Sequence, residues 1–295
     1  MSWTENSATH TEFGNTWTVA QPGFVVELYG GANVLPHGRA IFERIWALFP
    51  RDKPFFFINK RGRSYKQLTP TSLTRLVRTL EKLDEEGQFY MLKDSPDFHI
   101  EAYSAELGMG SEGAIVHFGL PTRWIAEVGA DAAVELFRSF VADFGFSTGT
   151  AGWGFQLTWG RECEMKAMPL SIKAAKRFWG LNVRNRNEES HLGGKLKTAH
   201  WLTFLGEAAL DACGGIGAAK ELAPDVGVVE VGTGVILRAG KEPPEGDVNR
   251  QAPDIEPLRR VNKFIRPVRI DAWRYGHNLF FIEPDDAHAW LTRLD

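Results

Sequence analysis

The sequence predicts an α+β protein, with mostly antiparallel or mixed sheets, helices packed on their faces, and two similar sheet-plus-helix halves as one arrangement. Three observations predict it. Short apolar runs of strand character follow one another closely, longer segments repeat apolar residues at helical spacing, and glycine-rich turns separate them.

Taken in order, Phe24 to Tyr29 reads as a strand ending at Gly30-Gly31, and Pro36 to Phe49 as a helix through Ile41, Ile45 and Trp46. Pro54 to Asn59 is an apolar strand followed by the basic turn Lys60 to Arg63. Thr71 or Ser72 caps a helix running to about Leu83. Phe89 to Leu92, Phe98 to Ser104 and Ala114 to Leu120 are three strands whose short separations favour antiparallel pairing. A short helix, Pro121 to Val128, precedes a strongly periodic one, Ala130 to Phe144. The glycine-rich run Ser147 to Gly154 leads into a strand at Phe155 to Trp159. Pro169 to Trp179 forms a basic amphipathic helix closed by Gly180. Val228 to Val231 and Val235 to Leu237 straddle Gly232-Thr233-Gly234 as a hairpin. Ile255 to Ile265 reads as a helix, Leu279 to Ile282 as a last strand, and Pro284 to Leu294 as a terminal helix.

A chain of 295 residues can bury a sizeable core. Residues 1–20 read as a loosely ordered leader and 21–295 as one domain, with a subdivision near 121–146 as the alternative. The 10 Trp and 20 Phe are read mainly as core. A net charge of -3 is too small to attract nucleic acid to the chain as a whole. Only Cys163 and Cys213 are present, which fits a reducing compartment and the cytoplasm. The polar start, Met1 to Thr16, lacks a signal-peptide pattern, and no run is long and apolar enough to span a bilayer.

Candidate chemistry is sparse. Gly108 to Gly113 has GxGxxG spacing, but the following residues read as strand rather than the helix that a phosphate site requires, so a hairpin turn explains it. A metal-dependent nuclease or hydrolase needs carboxylates sharing a metal with a lysine beside the reacting phosphate. Asp97, Glu164 and Lys166 supply the residue types, the first two 67 residues apart. The histidines show no metal-ligand spacing, and no cofactor is expected. Cys163 lies between Glu162 and Glu164, which disfavour its thiolate.

Two charged segments remain. Lys173, Lys176, Arg177, Arg184, Arg186, Lys195 and Lys197 form either a solvated face or a nucleic-acid contact. From Lys241 to Pro257, Glu242, Glu245, Asp247, Asp254 and Glu256 outnumber Lys241 and Arg250, while four prolines restrict the backbone. These five carboxylates are candidate partner-binding residues for a basic surface.

Arg177-Phe178-Trp179-Gly180-Leu181-Asn182-Val183, Trp201 to Gly206, Gly214-Gly215, Gly246-Asp247-Val248-Asn249 and Pro267 together resemble the bacterial type VI secretion immunity family of the TsiV kind. The resemblance spans about residue 22 to about residue 270. It implies a cytoplasmic, non-enzymatic partner that binds and neutralises a type VI toxin, typically one with a virus-type replication-repair nuclease domain. No direct contact with nucleic acid or membrane is expected. The competing readings are the hydrolase above and a structural adaptor of the secretion apparatus.

Overall fold

The computed structural model describes residues 8–12, 15–52, 54–59, 66–80, 90–93, 103–110, 112–157, 161–184, 191–250, 254–272 and 284–295. Its strands are β1 (Ala8–Glu12), β2 (Asn15–Gly30), β3 (Phe56–Asn59), β4 (Lys66–Gln67), β5 (Tyr90–Lys93), β6 (Ser104–Gly110), β7 (Gly113–Pro121), β8 (Thr148–Leu157), β9 (Leu202–Leu205), β10 (Val226–Val231) and β11 (Gly234–Ala239). Its helices are α1 (Gly38–Ala47), α2 (Pro70–Leu80), α3 (Thr122–Val128), α4 (Ala130–Asp143), α5 (Arg161–Arg177), α6 (Glu207–Ala212), α7 (Gly215–Lys220), α8 (Glu256–Phe264) and α9 (Pro284–Thr292). The α+β class read from the sequence is the observed one.

The strands form one continuous sheet in the order β10-β11-β9-β8-β2-β7-β6-β5-β3-β4, with β1 paired to β2. Each of these pairings is antiparallel. The two halves anticipated from the sequence are therefore flanks of a single sheet, joined at β2, which pairs with β7 on one side and β8 on the other. The residues expected as a loose leader include β1 and the first turn-free stretch of β2. Thr16, Thr18 and Ala20 have strand neighbours in β1, and Ala20 also in β8.

Alternation along β2 divides its side chains between two layers. Phe24, Val26 and Leu28 join a core with Ile41, Phe42 and Ile45 of α1, Leu76 and Leu80 of α2, and Phe137 and Phe140 of α4. The opposite face carries three further clusters, a small one of Tyr29, Ile115 and Leu192 and two larger ones. One joins Phe155 and Leu157 to α5 and α9, and the other joins Leu205, Val235 and Leu237 to α6, α7 and α8. Helices consequently cover both faces, the three-layer way of burying a two-sided sheet.

Across the second face runs a polar row. Glu106, His117, Glu27, Thr150 and Thr203 are cross-strand neighbours on β6, β7, β2, β8 and β9, and all are buried. Buried charges require partners. Lys197 lies 3.0 Å from Glu27 and also donates to the Val183 carbonyl, Tyr29 donates to Glu27, and Arg184 donates to Glu106. The pairs fasten the chain around Val183 and Lys197 onto the sheet.

Several local expectations shift. The helix assigned from Pro169 begins at Arg161, with Pro169 inside α5. The glycine run, from Thr148 to Gly154, lies within β8 rather than ahead of it. At Gly149 an added Cβ would meet a Leu28 methyl at 2.5 Å, and at Gly154 it would meet a Val25 methyl at 2.6 Å. Close packing, not a turn, selects those glycines. Gly108 to Gly113 does form a hairpin turn, with Gly110 opposite Gly113. The basic turn Lys60 to Arg63, most of the strand Phe98 to Ser104 and the strand Leu279 to Ile282 lie outside the described residues.

Candidate functional site

The segment after β11 turns at Gly240, whose φ of 92° suits a residue without Cβ. Three side chains from the sheet then hold its backbone. Trp201 Nε1 donates to the Gly240 carbonyl at 3.1 Å, Arg238 donates to the Lys241 carbonyl, and Trp153 Nε1 donates to the Pro243 carbonyl at 2.9 Å. Arg238 is itself held by Asp131 at 2.7 Å.

Further along, the segment pairs with the chain leaving α5. Trp179 N–H donates to the Gly246 carbonyl at 3.0 Å, Gly180 N–H to Glu245 at 3.1 Å, and Val248 N–H to Arg177 at 2.9 Å. The Arg177 guanidinium grips Asp247 through two bonds, Nε to Oδ1 at 2.9 Å and Nη2 to Oδ2 at 2.8 Å. Oδ1 also accepts the Asn249 N–H at 3.1 Å. Bonding to Arg177 and to that amide favours the ionised carboxylate, so the Asp247 pKa falls to about 2. Gly180 is needed because a Cβ there would lie 2.0 Å from the Pro244 carbonyl oxygen.

The fixed loop encloses a cleft of about 440 Å³. Its charged lining comprises Glu242, Glu245, Asp247 and Asp254 against Lys241 and Arg250. The structure divides the five sequence-predicted carboxylates. Glu242 and Asp254 are exposed at the cleft, and Glu256 is exposed at the start of α8. Glu245 is 27% exposed and lies 3.6 Å from Arg250. The Asp247 side chain is only 2% exposed and is saturated by Arg177, so it supports the loop rather than facing solvent. Its role depends on a partner 70 residues away, a pairing absent from local sequence pattern.

The basic stretch is largely consumed within the fold. Arg177, Arg184 and Lys197 pair with Asp247, Glu106 and Glu27, and Lys176 lies 2.9 Å from Asp286. Lys173 and Lys195 are exposed, and Arg186 lies outside the described residues. Asp97 also lies outside them; Glu164 and Lys166 fall on α5, but their side chains are likewise outside the described residues. Cys213 is half-buried, and burial pushes its thiol up to about 11, which disfavours a nucleophilic thiolate.

His200 was not singled out by sequence pattern. It is 1% exposed, and among the described residues the backbone of Gly180 is the one group near its ring that favours the charged form, without a hydrogen bond of full geometry. Burial, then the charges of Arg293 and Lys197, hold its pKa well below the usual value.

These features define an α+β scaffold that presents a fixed, acid-lined loop beside α8. Among the described residues, no helix is long and apolar enough to cross a membrane. A family model described as TsiV, "Type VI immunity for VRR-NUC", matches residues 60–294, and the chain belongs to that family. The Pseudomonas aeruginosa T6SS protein PA0821 has a similar solved structure, with a TM-score of 0.80 at 19% identity over 96% of this chain and 84% of that one. This likeness shows a shared fold. No curated protein matches the chain significantly.

Proposed function

We propose that the chain is a non-enzymatic immunity protein that binds and neutralises a type VI nuclease effector of the VRR-NUC class, covering its active site or nucleic-acid surface. The observation that carries this reading is the acidic cleft in a chain of the immunity family. A nuclease surface that receives phosphates is basic, and opposed charges speed association and fix register. Anchoring by Trp153, Trp201, Arg177 and Arg238 reduces the ordering entropy that a mobile loop would lose on binding.

The surface chemistry agrees with electrostatic recognition. Among the described residues, the only exposed large hydrophobic side chain is Val128, at 40%. An extensive apolar docking patch is therefore not what the described surface offers. Glu242, Glu245 and Asp254 are the proposed contacts, with Glu256 at their margin.

The test is growth protection. Cells expressing the effector from the adjacent gene should survive with the wild-type chain and lose protection when Glu242, Glu245 and Asp254 are changed together to Ala. Full protection by a normally folded triple variant would remove this cleft as the contact.

A further inference from the structure

A second groove, of about 830 Å³, lies on the other flank of α8. Leu258, Val261 and Asn262 point from α8 into the core, which leaves Arg259, Arg260 and Lys263 on its outer side. Arg266 extends the cationic lining beyond the helix. Arg260 is committed to Asp225. Among the described residues, Arg259, Lys263 and Arg266 make no ion pair; Lys263 and Arg266 are exposed. Arg259 packs over the Trp179 ring at 5.5 Å, and its enclosed Nε has no hydrogen-bond acceptor among the described residues. A spare charge-assisted donor on an aromatic platform is suited to a carboxylate.

The groove is not built for a phosphate backbone. Glu221, Glu256 and Asp295, the last held by Arg269, place carboxylates along it, where a continuous polyanion would be repelled. Leu222 and Phe264 supply apolar lining between the charges. That mixture fits a peptide carrying acidic and apolar side chains. We infer that this groove docks an acidic, partly apolar segment of the partner, so that the partner is held on both flanks of α8, by its cations at the acidic cleft and its carboxylates here. The inference rests on the immunity reading and adds a second, oppositely charged contact to it.

The experiment measures affinity between a catalytically inactivated effector and three versions of the chain. Wild type is compared with a Lys263→Glu plus Arg266→Glu variant and with a Lys263→Arg control. Both substituted residues are exposed, and unchanged melting temperatures verify the fold. The expected result is at least about a tenfold loss of affinity on charge reversal and near-wild-type affinity for the control. Affinity within about twofold of wild type after charge reversal would overturn the second contact while leaving the acidic cleft in place. Absence of wild-type binding would instead reject the immunity reading and, with it, this inference. If the reversal abolishes binding of a short duplex DNA while effector affinity is unchanged, the groove is a nucleic-acid site and the peptide assignment is wrong.

Discussion

Arg177 and Asp247 close a two-bond ion pair across 70 residues of sequence, joining the end of α5 to the loop that carries the acidic cleft. Each belongs to a motif that resembles the immunity family, one in Arg177 to Val183 and the other in Gly246 to Asn249. Their contact joins the two segments: together they make the support on which Glu242 and Glu245 stand.

The pair has a signed pH dependence. An unfolded aspartate titrates near ~3.9, whereas Asp247 in the fold is lowered to about 2 by Arg177. Its stabilisation is present above the unfolded value and is lost as pH falls through that window. Denaturant titrations between those limits should show a shallower loss for Asp247→Asn than for wild type. Equal slopes would mean that the pair does not contribute.

His200 acts at higher pH. Its folded pKa lies well below the usual value, so the unfolded chain takes up a proton first as pH drops. Stability should be complete above ~6.5 and decline below it. Melting temperatures of His200→Gln should depend less on pH across that range. A wild-type curve that stays flat between neutral and mildly acidic pH would contradict this assignment.

Gly180→Ala should cost about 1–3 kcal/mol, because relieving the clash with Pro244 requires backbone movement. That displacement should also weaken effector binding. Gly217 in α7 is the control: a Cβ there meets nothing within 4 Å. Gly217→Ala should leave binding unchanged and alter stability by no more than ~1 kcal/mol in the favourable direction. Urea unfolding checks both.

Arg184→Ala removes an ion-pair partner from the buried Glu106 carboxylate and should destabilise by about 3–5 kcal/mol. The double substitution Glu106→Leu with Arg184→Met should recover most of that loss, since both charges of the pair are then removed together. A double-mutant cycle by chemical denaturation would detect the difference.

Local pattern carried much of the fold. The periodicity of Ala133, Phe137 and Phe140 gave α4, and the turn at Gly232 gave the β10-β11 hairpin. Pattern did not reveal that β2 is the central strand, because its flanking partners β7 and β8 lie far along the chain. The early residues of β2 pair instead with the neighbouring β1. Composition located the acidic loop, but it could not separate exposed Glu242 from buried Asp247. That distinction follows from the position of Arg177, just as Glu27 and Lys197 hide in a charge count that suggests solvent exposure.

The most direct test is the equilibrium affinity of the purified chain for an inactivated VRR-NUC effector, measured for wild type and for the Glu242, Glu245 and Asp254 triple Ala variant. The account predicts a stable complex with wild type and a large loss of affinity in a variant that remains folded. A wild-type chain that forms no complex with its effector would contradict immunity by direct binding.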